Sequence, residues 1–523
     1  MTETTQASAP PPTKGANVAF AYVTTLFFAW GFATSLIDPL IAAVRGAFSL
    51  SFTEALLTQF AWFTAYGVFA LPAAFVLSRL GYAKSIVGAL GVMVLGALIV
   101  PLSTVMDFYP GVLLALFVIG AGVTLLQVAA NPLAASLGPD QKSHFRLVLS
   151  QAFNSLGTVV GPLLGATVML SGGIFVAGGV TELGSLRALV LLGLGVVFGL
   201  VAGALLGGLR RDIKGWLPLG AAIGLAVGWL TFLHNYIGGL APAVAPSRPD
   251  VSIDWSQFFS LQSDVQATEA AVLDPVLRAQ TLGNIDAVFL GLAAFFGVLA
   301  VFIWLIRSRL AAASVSSERQ ASPFEALKSR WAVLGAIGIF VYVGSEVAIG
   351  SLMTNFLESE GTLSLSVGDA GRLVALYWAG ALMGRFAGSA LLTRIPAARL
   401  LIVFTALAAA LCFTVTQTSG ATAAFAALAV GLFNSIMFPA IFTLTLERST
   451  APASATSGLL VFGIIGGALL PLVAGRVADA AGGIINPAFY VPLIGYGLLV
   501  VFAVLASRAR VHSIGDATTP GGH

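Results

Sequence analysis

LSRLGYAKS, residues 77–85, returns as LTRIPAARL, residues 392–400. Each copy sets two basic residues five positions apart, Arg79 and Lys84 in the first, Arg394 and Arg399 in the second. GPLLG (161–165) has a looser echo in LPLVAG (470–475). The offsets are about 310–315 residues, so the chain holds two halves related in parallel.

The composition says where such halves reside. Of 523 residues, 58% are hydrophobic and only 9% charged, with 59 glycines. A soluble domain carries about 25% charged residues, so an all-α polytopic membrane protein is the expectation. Apolar stretches long enough to cross about 30 Å of hydrocarbon fall near 17–44, 52–79, 84–104, 109–136, 145–171, 187–209, 216–238 and 286–307. Six more fall near 331–357, 368–392, 397–417, 420–446, 453–478 and 486–507, about fourteen in all. Positive charge gathers on the cytoplasmic side of membranes. With both termini cytoplasmic, eighteen of the 25 Lys and Arg fall inside and six outside, Arg385 staying within a span. Were 187–238 not to cross, the bias would fall to 15 against 9. The fourteen-span reading therefore holds better.

These boundaries divide the chain. Residues 1–16 read as a disordered cytoplasmic tail without a signal-peptide pattern. Residues 17–307 form a first helical bundle, with an inserted pair at 187–238 and an outer loop at 239–285 holding one surface helix near 255–280. The inserted pair is expected against the periphery of that first bundle. Residues 308–330 are a cytoplasmic linker, 331–508 a second six-helix bundle and 509–523 a cytoplasmic tail. Parallel halves packed around a midplane site are a signature of transporters.

Soluble enzymes find no support. The four histidines, His144, His234, His512 and His523, are scattered, and HExxH, Walker and nucleophile-elbow motifs are absent. No enzyme activity, cofactor, metal site or nucleic-acid partner is expected. The one cysteine, Cys412, reads as an inert core thiol.

Polar residues inside spans carry the information. Asp38 lies in GFATSLIDPLI and Glu346 in YVGSEVAIGS. A carboxyl at that depth must be protonated, paired or wetted, which makes both candidates for carrying a coupling cation. Gln127 and Asn131, in LLQVAANPLAASLG (125–138), are four apart and share a helix face; Gln151 and Asn154, in LSQAFNSLG, are three apart and do likewise. One span runs inward and the next outward, so the two pairs lie at similar depth. Gln59 and Asn434 add further amides, and Trp30, Trp62, Tyr66, Tyr377 and Trp378 add flat aromatic faces. Hydroxyls that both donate and accept suit amides, and a sugar's C–H face suits an aromatic plane. Interhelical hydrogen bonding is the plainer use of such amides. Arg385, near the inner end of its span, is expected to snorkel to the cytoplasmic interface. Arg79, Lys84, Arg394 and Arg399, at short inner turns, fit gating or orientation.

Several blocks carry a resemblance: FFAWGFATSLIDPLI, LLQVAANPLAASLGP, LSQAFNSLGTVVGPLLG, YVGSEVAIGS, LYWAGALMGRFAGS and VGLFNSIMFPAIF. In order and spacing, over about residues 20–170 and 286–508, they resemble the fucose–galactose–glucose:cation symporters of the major facilitator superfamily. The resemblance implies two six-helix bundles, alternating access and uptake of a monosaccharide with a proton or sodium ion. It implies a multi-pass protein of a bacterial-type inner membrane, a hexose and membrane lipid as partners, and a monomer. Asp38 matches a first-span acid that looks like a protonation site in the fucose member, and Gln151 and Asn154 match sugar-binding amides. Gln127 stands where the fucose member has a glutamate. That removes a two-acid relay and favours D-glucose or D-galactose over L-fucose. Two other readings stay open, a drug–proton antiporter and a non-transporting sugar sensor on the same fold. Against the antiporter, GTVVGPLLG continues with Ala166 in place of a second glycine, and the extra pair falls inside the first half.

Overall fold

The computed structural model describes residues 14–48, 50, 52–137, 143–169, 213–240, 275–313, 323–365, 367–509 and 511. The expected span 187–209, most of the outer loop with most of the surface helix expected near 255–280, and nearly all of both tails lie outside the described residues. The described residues are helical and contain no strand. The first half holds α1 (Lys14–Ser35), α2 (Ile37–Ala47), α3 (Phe52–Val105), α4 (Tyr109–Ser136) and α5 (Ser143–Met169), then α6 (Ile213–Gly239) and α7 (Pro275–Ala313). The second half holds α8 (Arg330–Glu358), α9 (Val367–Leu391), α10 (Ala397–Gln417), α11 (Gly420–Asn434), α12 (Met437–Leu446), α13 (Ala453–Phe462), α14 (Gly466–Ala480) and α15 (Tyr490–Arg508). Among the described residues nine helices are long and apolar enough to cross a membrane.

The repeat that opened the reading is a pair of hairpin corners. α3 runs for 54 residues, and a straight helix of that length would reach about 80 Å. It is interrupted at Gly81, whose φ of 73° and ψ of 174° lie in an extended positive-φ region open essentially to glycine alone. In the second copy Pro396 stands at the matching position, at φ −54° and ψ 135°, and starts α10. Two different residues therefore break the chain at the same place in each half.

In the first bundle α3 packs along α4 and α7, and α1 along α5. Tyr22 meets Phe302 edge-on at 5.4 Å between ring centres, which ties α1 to α7. Close approach of α1 and α5 depends on glycines. A Cβ on Gly157 would lie 2.6 Å from the Phe32 nitrogen, and one on Gly161 would lie 2.7 Å from the Phe32 oxygen and overlap the Ser35 hydroxyl. Small residues at such spacing let helix backbones touch where lipid supplies no hydrophobic drive. In the second bundle α8 packs on α14 and α15, α10 on α11 and α15, and α9 on α11.

The inserted helix departs from expectation. α6 lies against α9 and α11 of the second bundle rather than on the periphery of the first. Its His234 ring meets Phe425 edge-on at 5.5 Å, Arg394 stacks over Trp216 at 5.3 Å, and Trp229 fills the space beside Gly380. The physical reason is that these side chains find partners there, Trp229 entering the space that Gly380 leaves open.

The bundles meet through α5 against α9 and α12, and through α3 and α4 against α13. The Ser457 hydroxyl donates to the Val128 carbonyl at 3.1 Å across this boundary. A Cβ on Gly458 would lie 2.6 Å from the Ala74 methyl. These contacts concentrate toward the end that bears the linker, hereafter the linker end.

Gly81→Ala and Gly81→Asn should each lower the stability of the purified protein by about 1 to 3 kcal/mol, since any side chain strains this backbone although nothing lies within 4 Å of a Cβ there. Gly161→Ala should cost about 1 to 3 kcal/mol by overpacking against Phe32 and Ser35, and Gly161→Asn more. Unfolding transitions in detergent measure these; wild-type stability in any of the variants would refute the corresponding constraint.

Candidate functional site

Helix breaks build the site. α1 gives way to α2 at Leu36, three residues before Pro39, and α11 gives way to α12 at Ser435–Ile436, ahead of Pro439. Proline has no N–H, so the carbonyl four residues earlier loses its helical donor. Pro439 thereby frees the Ser435 oxygen, and the break frees the Asn434 oxygen beside it. Both are taken by side chains: Arg385 Nε donates to Ser435 O at 3.1 Å, and the Tyr342 hydroxyl donates to Asn434 O at 3.1 Å. Interrupted helices with backbone groups turned inward mark binding sites in transporters.

In the first bundle two of the four amides, Asn131 and Gln151, meet, and the other two bond elsewhere. Gln127 Nε2 donates to the Tyr66 hydroxyl at 3.0 Å, and Gln151 Nε2 donates to Asn131 Oδ1 at 3.4 Å. Asn154 Nδ2 donates to the Phe27 carbonyl at 3.2 Å across the α1–α5 contact. Gln127, Asn131 and Gln151 are buried, and Asn131 Nδ2 has no acceptor. A buried amide N–H left without a partner costs free energy comparable to a lost hydrogen bond. The Asn131 pair is thus half satisfied within the protein.

The second bundle answers with tyrosines. The single Tyr342 proton is shared between the Asn434 carbonyl and Glu346 Oε1, which lies 2.7 Å from that hydroxyl, and the Tyr377 hydroxyl donates to the Glu346 main-chain oxygen at 3.2 Å. Asn434 Nδ2 donates to the Tyr377 hydroxyl at 2.7 Å, and its Oδ1 accepts from Tyr496 at 2.7 Å. Asn434 and Tyr377 therefore come together, but their polar atoms are engaged with one another. Trp378 is half-buried and crosses the Tyr377 ring edge-on at 5.0 Å. Gln59 reaches over from α3, where its Oε1 accepts from the Ser351 hydroxyl at 3.4 Å. Asp38 sits on α2, two residues past the break; its side chain lies outside the described residues.

Arg385 corrects the sequence reading. It does not snorkel: the residue is 6% exposed and its guanidinium turns into the boundary between the bundles. The two hydrogens of Nη1 are shared among the Gln151 carbonyl at 2.8 Å, the Ser155 hydroxyl and, at 3.3 Å, Asn154 Oδ1. The freed Ser435 carbonyl captures it from its own side, and the proline four residues downstream was the signal to follow. The basic turn residues behave more simply. Arg79 stacks on Phe75 of its own helix at 4.3 Å, and Lys84 and Arg399 are exposed.

His144 went unremarked in the sequence beyond its place in a loop, yet it ties α5 to the end of α12. Nε2 lies 2.8 Å from Glu447 Oε1, and Nδ1 bonds to the Thr443 hydroxyl. The Thr443 hydroxyl also lies 2.8 Å from the Pro439 carbonyl, and the Glu447 carboxylate accepts from the ring at Nε2. Arg448 adds Nη1 to Glu447 Oε2 at 3.3 Å while donating to the Leu444 carbonyl at the end of α12 at 2.9 Å. Burial pushes the Glu447 carboxyl up, but the His144 bond and charge, with Arg448, outweigh it and hold the group below its ordinary value of 4.5.

A depressed carboxylate stabilises the fold above its unfolded pKa and stops doing so as the pH falls through the folded one. Glu447→Gln should therefore cost about 1 to 3 kcal/mol at neutral pH. The gap between wild type and variant should close below 4.5, as Glu447 protonates. Unfolding measured from pH 7 downward checks this; a pH-independent gap would contradict it.

Comparisons with known proteins bear on this geometry. A family model described as Major Facilitator Superfamily matches residues 23–184. A glucose/galactose transporter of Brucella abortus biovar 1 (strain 9-941) is 33% identical over 500 residues, covering 95% of this chain and 96% of the relative. An L-fucose-proton symporter of Escherichia coli (strain K12) is 27% identical over 504 residues, covering 95% and 94%. The crystal structure of FucP, a Major Facilitator Superfamily transporter in the outward conformation, superposes with a TM-score of 0.66 at 22% identity, over 95% of this chain and all of that one.

Proposed function

The chain belongs to the fucose–galactose–glucose:cation symporter family of the major facilitator superfamily, and we propose that it carries a monosaccharide of the D-glucose/D-galactose class inward together with a proton or sodium ion. The relative that shares a third of its residues is named a glucose/galactose transporter over nearly its whole length. The observation that carries the reading is the Asn131 amide: fully buried, paired with Gln151 on its oxygen side and left with a free donor on the other. A hydroxyl group of a sugar is an acceptor and donor at once, so it can complete Asn131 while also serving Gln127 or Gln151.

Each residue then has a task. Gln127, Asn131, Gln151 and Asn154 hold the sugar from the first bundle; Gln59, Tyr377, Trp378 and Asn434 shape the opposite wall. Glu346, held by Tyr342, and Asp38, beside the break before Pro39, are the groups able to take a cation. In this reading the linker end faces the cytoplasm of an inner membrane, so the contacts between α5, α9 and α12 close the cytoplasmic side. The protein works as a monomer, and Arg79, Lys84, Arg394 and Arg399 orient the chain in the membrane.

Proteoliposomes loaded without sugar test the reading. Labelled D-glucose should accumulate under an imposed proton or sodium gradient, with galactose competing better than fucose. Asp38→Asn should abolish accumulation while leaving sugar exchange. Asn131→Ala should raise the half-saturating glucose concentration about tenfold, equivalent to about 1.4 kcal/mol. If the amides serve only to join helices, Asn131→Leu will transport normally, and the sugar reading fails.

A further inference from the structure

We propose that Arg385 is a clamp whose release couples sugar binding to the opening of the linker end, an inference that rests on the sugar reading above. The clamp is visible in its bonds. Of the groups that Arg385 engages, only the Ser435 carbonyl belongs to its own bundle. The Gln151 carbonyl, Asn154 Oδ1 and the Ser155 hydroxyl all belong to α5 of the other bundle. Opening the linker end requires α5 and α9 to part, and they cannot part while one guanidinium spans them.

The ligand has the means to loosen it. Asn154 has two polar atoms: Nδ2 is bound to the Phe27 carbonyl at 3.2 Å, and Oδ1 accepts from Arg385 at 3.3 Å. A hydroxyl that uses Asn154 as an acceptor therefore draws on the same oxygen as the guanidinium. The bond to Arg385 is long for a charged pair, which ordinarily closes to about 2.7–2.9 Å. Asn154 Oδ1 has two lone pairs, so a sugar hydroxyl can join the guanidinium there, and a second donor on one acceptor weakens the bond of the first. A ligand shifts an equilibrium only through its different affinity for the two states, and this weakening of the Asn154 bond, present only while the clamp is closed, supplies such a difference.

The charge also needs a destination. A guanidinium stripped of its acceptors inside a membrane protein is strongly disfavoured. None of the groups now bonded to Arg385 is a carboxylate. Glu346, on α8 of the same bundle, is near enough for its charge and that of Arg385 to act on one another. Its present donor is the neutral Tyr342 hydroxyl. The buried guanidinium and the buried Glu346 carboxyl group are thus each held by neutral groups, one across the boundary and one within the bundle. On separation, Arg385 leaves with its bundle and turns to Glu346. The pair has two arrangements, and the bundle boundary decides between them.

Spin labels report the opening. Leu80 and Thr393 are exposed at the linker-end corners of the two bundles. With Leu80→Cys and Thr393→Cys labelled in the full-length protein, distances between labels distinguish closed from open. In the protein with Arg385 intact, D-glucose should raise the open-to-closed ratio, about tenfold at saturation. Arg385→Gln should raise it by a similar factor without sugar and make it insensitive to sugar. Arg385→Lys, which keeps the charge but not the fork, should fall between. Because Arg385→Gln leaves Glu346 buried without its counter-charge, the Arg385→Gln/Glu346→Gln double variant is the better-folded control, and it should also be open without sugar. Glucose that binds, by calorimetry, without changing the distances overturns release by sugar. A closed distribution in both the single and double variants overturns the clamp. Absence of glucose binding, with the Arg385→Gln protein open, would sink the sugar reading and the coupling to sugar, and leave the mechanical clamp supported.

Discussion

Inside a slab of hydrocarbon a polar group has no water to turn to, and every donor and acceptor must be met by the protein itself. That constraint organises this molecule. It makes the chain helical, since only a helix satisfies its backbone within a single crossing. It also means that each place where a helix breaks must be answered by a side chain. The break at Ser435–Ile436 is answered by Tyr342 and Arg385, and from those two bonds the rest of the second bundle's polar interior follows. Tyr342 carries Glu346, Tyr377 carries Asn434, and Tyr496 closes the set.

The two halves use the constraint differently. The second bundle ties Asn434, Tyr342, Tyr377 and Tyr496 to one another, while its Arg385 and Ser457 reach into the first. The first bundle leaves an amide donor of Asn131 unmet and lends Asn154 and the Gln151 backbone to a residue of the other half. A bundle with its polar groups tied to one another is suited to moving as a body. A bundle with open valences is suited to holding something. This asymmetry is why the proposed ligand sits chiefly on α4 and α5 while the proposed clamp comes from α9.

One contact of the candidate site was legible because helical periodicity is strict. Gln127 with Asn131, and Gln151 with Asn154, share faces by spacing alone, and antiparallel crossing puts them at one depth. The structure joins Asn131 to Gln151. Arg385 was misread because its neighbours in sequence say only that it lies near a helix end; its depth is decided by the Ser435 carbonyl, fifty residues away. His144 was passed over for the same reason, since Thr443 and Glu447 are three hundred residues distant. The inserted α6 was assigned to the wrong bundle because chain order favours the nearer half, whereas its Trp216, Trp229 and His234 find their complementary surface in the farther one.

By itself the sequence determined that the chain crosses a membrane many times, that it does so as two related halves, and which polar residues share a helix face. These follow from composition and period, which act over one helix at a time. Tertiary structure alone decided which buried groups meet, which remain open and which residue spans the halves. Those outcomes depend on how two bundles dock, and the docking is set by helix breaks and glycine contacts whose partners lie hundreds of residues apart.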